Sequence, residues 1–157
     1  MFGFFKSKPV ELKAISSGDI VELEDVKDEV FSQKLAGDGV AIIPLNGTIL
    51  SPIDGNLSKI FPTNHAFLIT AKDIEVMVHI GLDTVELKGE GFKRLIEEGE
   101  KIKAGDAIIE VDLDYLKEKG KDTITPILVN SQKSITIENK KIGSIKEKEA
   151  LFEVKFK

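Results

Sequence analysis

The 157 residues contain no cysteine and no tryptophan, a single tyrosine and only two histidines. Without a thiol there is no disulfide framework, no cysteine nucleophile, no iron–sulfur ligand set and no zinc finger. No apolar run approaches the ~20 residues a membrane span requires, and no cleavable leader pattern opens the chain, so a cytoplasmic location is expected. Positive charge is in deficit: 22 Lys and Arg stand against 27 Asp and Glu, for a formal charge of −5. A nucleic-acid partner would demand a Lys/Arg stripe, and the sequence has none. What remains is 41% apolar and 31% charged, the composition of one soluble globular domain. A chain of this length buries roughly 70% of its unfolded surface and needs no metal or disulfide to close a core.

Short apolar runs punctuated by Gly, Pro, Asn and Asp fill the chain from residue 14 onward. Candidate strands are 20–23, 39–43, 48–50, 57–61, 66–69, 74–80, 83–87, 107–111, 127–129, 135–137 and 151–156. So many short strands predict an all-β fold, a compact antiparallel β-sandwich or barrel. Residues 25–35, 92–98 and 114–119 have apolar residues at helical spacing and are read as a few short helical turns. Gly18-Asp19, Gly37-Asp38 and Gly105-Asp106 each lead into an apolar run and mark tight entries into strands. The N-terminus sets Phe2, Phe4 and Phe5 beside Lys6 and Lys8. That cluster is too short to hold a bilayer firmly, so residues 1–13 are expected to form a flexible segment and 14–157 a single domain.

The two histidines, His65 and His79, carry the functional argument, because imidazole is the side chain whose ordinary pKa lies near neutrality. They bracket two apolar segments around Ala71-Lys72-Asp73, which reads as a hairpin. A three-residue loop sets Thr70 opposite Ile74 and His65 opposite His79, with Phe67 and Met77 on the same face. Ala66, Leu68, Val76, Val78 and Ile80 then turn into the core, whereas a two-residue loop would move the pairing by one. Facing imidazoles repel when both are charged, which keeps a nitrogen lone pair free near neutrality. Such a nitrogen can attack phosphorus while the second ring donates a hydrogen bond to the phosphoryl oxygens, with no metal or cofactor required.

Around the pair the sequence offers Val30, Phe31, Phe61, Met77 and Val85, which are apolar, and Asp28 and Asp83, which are acidic. These suit docking of another protein rather than enclosure of a small molecule. Glu22, Glu24, Asp25, Asp28 and Glu29 make an acidic run that either attracts a basic partner or simply forms a solvated face. Two other readings of the histidines remain open from the residues alone. One is a zinc hydrolase in which Asp83 or Glu75 completes the ligands, and the other is a binding module with packed rings.

Two longer runs are specific: Phe61-Pro62-Thr63-Asn64-His65-Ala66-Phe67, and Val78-His79-Ile80-Gly81-Leu82-Asp83-Thr84-Val85-Glu86-Leu87-Lys88-Gly89-Glu90-Gly91-Phe92. With Glu24-Asp25-Val26, Val30-Phe31, Gly37-Asp38-Gly39, Glu97-Glu98-Gly99 and Thr125-Pro126, the chain from about residue 14 resembles the glucose-type enzyme IIA family. That family serves the bacterial phosphoenolpyruvate-dependent sugar phosphotransferase system. The resemblance implies a β-sandwich or barrel with a shallow apolar depression around the histidines. It implies that His79 is the phosphoryl acceptor, that His65 hydrogen-bonds the phosphoryl group and supports onward transfer, and that Thr63 orients His65. It also implies a docking rim at Asp28, Val30, Phe31, Phe61, Asp83 and Val85, with Met77 where an aromatic is common and Pro62 where an acidic residue is common. The implied partners are a histidine phosphocarrier protein and the IIB domain of a membrane sugar permease, through which the protein would meet the membrane peripherally.

Overall fold

Residues 8–157 are described by a computed structural model. The Phe/Lys cluster at the N-terminus lies, but for Lys8 and Pro9, outside the described residues. The chain runs through β1 (Val10–Lys13), β2 (Gly18–Glu22), β3 (Asp38–Pro44), β4 (Thr48–Leu50), β5 (Gly55–Ile60), β6 (Ala66–Ala71) and β7 (Ile74–His79). It continues through β8 (Phe92–Arg94), β9 (Lys101–Ile102), β10 (Ala107–Val111), β11 (Thr125–Asn130), β12 (Ile135–Glu138), β13 (Gly143–Ile145) and β14 (Ala150–Phe156). Helix is confined to α1 (Glu29–Ser32), α2 (Leu113–Glu118) and single 3-10 turns at Leu23–Asp25 and Thr84–Leu87. The all-β expectation holds. Among the described residues no helix is long and apolar enough to cross a membrane.

The pairings are antiparallel. One large sheet has the order β13-β2-β3-β11-β7-β6-β5-β9, and two small ones run β4-β10-β8 and β1-β14-β12. The three share a core in which Leu12 and Val154, Ile49 and Ile109, and Ile42, Phe67 and Val78 are fully excluded from water. Each such large side chain contributes about 1.5–3 kcal/mol by burial. Close approach inside the large sheet has a sequence cause. A Cβ on Gly39 would run into the Ile127 carbonyl oxygen across the β3–β11 ladder.

The outer face of the large sheet is covered as well. There Leu23, Val26 and Phe31, from the segment between β2 and β3, pack with Ala41, Leu82, Ile124 and Leu128, and Met77 borders them. Asp28 caps α1 by accepting from Val30 N at 2.9 Å, which turns Phe31 onto this face.

Four expectations need correction. The fold begins before residue 14, since β1 pairs with β14 and buries Val10 and Leu12. Residues 83–87 are not a strand, because Asp83 and Lys88 take left-handed conformations on either side of a 3-10 turn. Residues 92–98 are not helical but open with β8, whose Phe92 points inward and Lys93 outward. Phe67 does not share the histidine face: it faces the main core, and Leu68 takes its place beside Met77.

Candidate functional site

The hairpin that carries the histidines has a two-residue loop, Lys72-Asp73, and Ala71 pairs with Ile74. Lys72 enters the left-handed region at φ 51° to close it. The register is therefore one residue away from the expected one, and His79 lies opposite Ala66. His65 stands just before β6, where its carbonyl accepts from Ile80 N at 2.7 Å. The rings meet nonetheless. Between β5 and β6 the chain makes a turn in which Asn64 N donates to Phe61 O and Phe61 N to Ala66 O. Asn64 itself is left-handed, at φ 60°. From that turn the His65 ring lies 5.0 Å from the His79 ring, centroid to centroid, edge to face at 81°.

Each ring is anchored through Nδ1. The Nδ1–H of His79 donates to the Gly81 carbonyl at 2.8 Å, which leaves the lone pair on Nε2. Thr63 Oγ1 lies 2.5 Å from Nδ1 of His65. His65 is only 5% exposed, and burial followed by the nearby His79 ring pushes its pKa down to about 4. Burial also lowers the pKa of His79, against the Gly81 carbonyl and the charges of Asp28 and Asp83, which favour the protonated form. Both rings are thus neutral at pH 7, and the one with the free Nε2 is the less enclosed of the two.

Four of the residues expected at the rim lie beside these rings. Phe31 lies 5.0 Å from His79 and Phe61 5.5 Å from His65, centroid to centroid. Asp28 and Asp83 are close enough to His79 to act on its proton. Val30 and Val85 are 48% and 52% exposed on α1 and on the turn after Asp83, and Met77 is half-buried between the strands. The acidic run is partly engaged within the chain, since Glu22 pairs with Lys140 and Glu24 with Lys34. Among the described residues no group of three or more His, Asp or Glu side chains is placed to hold a metal ion, so the zinc reading finds no ligand set here.

Three contributors escaped the sequence reading. The Gly81 carbonyl selects the His79 tautomer, and its residue is left-handed at φ 78° with a Cβ excluded by Thr84 and the Asp122 carbonyl. The Thr84 hydroxyl donates to the Ile80 carbonyl at 2.6 Å and holds the loop after His79. Arg94, from β8 in a different sheet, donates from Nε to Asn64 Oδ1 at 2.9 Å. A backbone carbonyl has no residue signature, and contacts thirty residues apart have no periodicity to betray them.

Fold and comparison together define the class of protein: a component of the phosphoenolpyruvate-dependent sugar phosphotransferase system, active in sugar uptake. The chain belongs to the EIIA 1 family of that system, whose model matches residues 10–135. It is 50% identical over 141 residues to the glucose-specific EIIA component of Haemophilus influenzae, covering 89% of this chain and 85% of that one. It is 43% identical over 152 residues to the glucose-specific EIICBA component of Streptococcus pneumoniae, covering 96% of this chain but 21% of that longer protein. Among solved structures, the glucose permease IIA of Mycoplasma capricolum superposes with a TM-score of 0.90 at 36% identity, over 96% of this chain and 98% of that one.

Proposed function

We propose that His79 is the phosphoryl carrier, charged by a histidine phosphocarrier protein and discharged onto a cysteine of the IIB domain of a glucose-type permease. The observation that carries this reading is the pair of neutral imidazoles meeting edge to face, with Nδ1 of His79 committed to the Gly81 carbonyl. In acceptance, the Nε2 lone pair bonds to phosphorus as the N–P bond on the phosphocarrier's ring breaks and the electron pair returns to that ring. In donation, the IIB thiolate bonds to phosphorus, the N–P bond on His79 breaks, and Nε2 recovers its lone pair.

His65 stabilises the transferring group. With the Thr63 hydroxyl donating to Nδ1, the proton of the neutral His65 ring sits on Nε2 and donates to a phosphoryl oxygen as charge develops there. Phe31, Phe61, Met77, Val30 and Val85 form the apolar floor and rim on which a partner protein docks, while Asp28 and Asp83 favour partners with basic side chains. The EIICBA relative, whose name joins the three components in one protein, supports IIB as the acceptor. The protein works in the cytoplasm and meets the membrane through the permease.

Incubation with phosphoenolpyruvate, the phosphocarrier and its kinase adds one acid-labile, base-stable phosphate per chain, and His79→Ala takes none. His65→Ala still accepts phosphate but passes it to IIB slowly. Phosphate on His79→Ala overturns the carrier assignment, and equal loss of acceptance in both variants overturns the division of labour.

A further inference from the structure

We propose that Arg94 is a positioning residue for the second histidine, acting through Asn64 to hold Thr63 and His65 in hydrogen-bonding register. The inference deepens the proposed function, since it concerns how that same site is kept in its donating geometry.

Thr63 and His65 are two residues apart, so the torsions of Asn64 decide whether Oγ1 of one can reach Nδ1 of the other. Asn64 is held in the left-handed region at φ 60°, a conformation that a side chain with a Cβ reaches at some cost. Its backbone N–H is tied to Phe61 O, and its side-chain Oδ1 receives Nε–H of Arg94 at 2.9 Å. Arg94 does not belong to the hairpin. It ends β8, pairs with Ile109 of β10, and sends its side chain across to the turn. The far side of its guanidinium is steadied by Glu97, with Nη1 3.7 Å from Oε2. The small sheet β4-β10-β8 thereby braces a turn of the large sheet at the one residue on which the Thr63–His65 hydrogen bond depends. The polar contacts of the Arg94 side chain go to Asn64 and Glu97, so its role is to position and not to react. Its guanidinium is planar and directional, and a primary ammonium could not serve Asn64 and Glu97 in the same geometry.

The test uses Arg94→Met, which keeps the unbranched stem but removes the donor, and Asn64→Gly, which keeps the left-handed turn but removes the acceptor. Each variant redistributes the chemical shifts of the two ring nitrogens of His65, reporting a mixture of tautomers, while those of His79 stay in place. Transfer from the phosphorylated chain to IIB falls by about tenfold to a hundredfold, the order of loss seen when a reacting group is misplaced by about 1 Å. Loading of His79 falls less. The double variant is no worse than either single one, because both break the same bond. Arg94→Lys recovers part of the transfer rate at most. Unchanged His65 nitrogen shifts in both single variants, or losses that add in the double variant, overturn the inference. A wild-type chain that takes no phosphate overturns the proposed function instead, while the nitrogen shifts still decide the role of Arg94.

Discussion

The chemistry of the site turns on where one proton sits in each imidazole. A histidine in water is about three quarters neutral at pH 7 and loses its nucleophilic lone pair as the pH falls through ~6.5. His79 departs from this, because burial lowers its pKa and the Gly81 carbonyl pins the remaining proton to Nδ1. The lone pair proposed to accept phosphate is consequently retained to lower pH than in a free imidazole. Acceptance of phosphate by His79, measured as an initial rate against pH with the phosphocarrier already charged, is expected to fall with a midpoint below ~6.5. A fall centred at ~6.5 would mean that the ring titrates as if exposed. His65 and His79 could be chosen from the sequence because few residue types perform this chemistry and only two histidines were available, whereas Thr63 came only through the resemblance to the glucose-type enzyme IIA family. Gly81 could not, since its contribution is a carbonyl that every residue possesses.

Helix α1 spans four residues, too few to be stable alone, and survives by its cap and by Phe31 lying against the sheet. Asp28 does two things there: its carboxylate caps the helix, and its charge raises the pKa of His79 against the effect of burial. The two are separable by substitution. Asp28→Asn retains a capping oxygen and should leave the melting temperature nearly unchanged while lowering the His79 titration midpoint further. Asp28→Ala should lower the midpoint and also cost about 1 kcal/mol of stability, the usual loss of a helix N-cap. Thermal melts and a histidine NMR titration of both variants check this; equal stability of the two would show that the cap contributes nothing. The same region explains the register error. Strands β6 and β7 lie inside an eight-stranded sheet with the main core on one face and the α1 cluster on the other, so apolar residues occur on both faces. Alternation then carries no information about which side is which, and register falls to the turn. With no glycine in the loop, Lys72 took the left-handed position that sequence reasoning reserves for glycine or asparagine. The strands were legible, and their relative offset was not.

At the scale of the molecule, a site built from low-pKa histidines sets a condition on where the fold is stable. In the unfolded chain His65 returns to ~6.5. In the fold it titrates at about 4, because burial and the neighbouring ring disfavour its charged form. Between those values the unfolded chain binds more protons than the folded one, so stability rises with pH and is lost as the pH drops from ~6.5 towards about 4. His79 acts in the same direction, since its pKa is also lowered. Between pH 7 and pH 5 His65 alone accounts for a loss on the order of 1–2 kcal/mol. Urea unfolding at pH 7 and pH 5 measures it. The wild-type midpoint should shift to lower urea at pH 5, and the shift should shrink in His65→Gln, which occupies the same turn without a titrating ring. Equal shifts in the two proteins would assign the acid sensitivity to groups other than His65. The acid sensitivity of the fold and the retention of a free lone pair on His79 below the ordinary value share one cause, the burial of two imidazoles side by side in an antiparallel sheet.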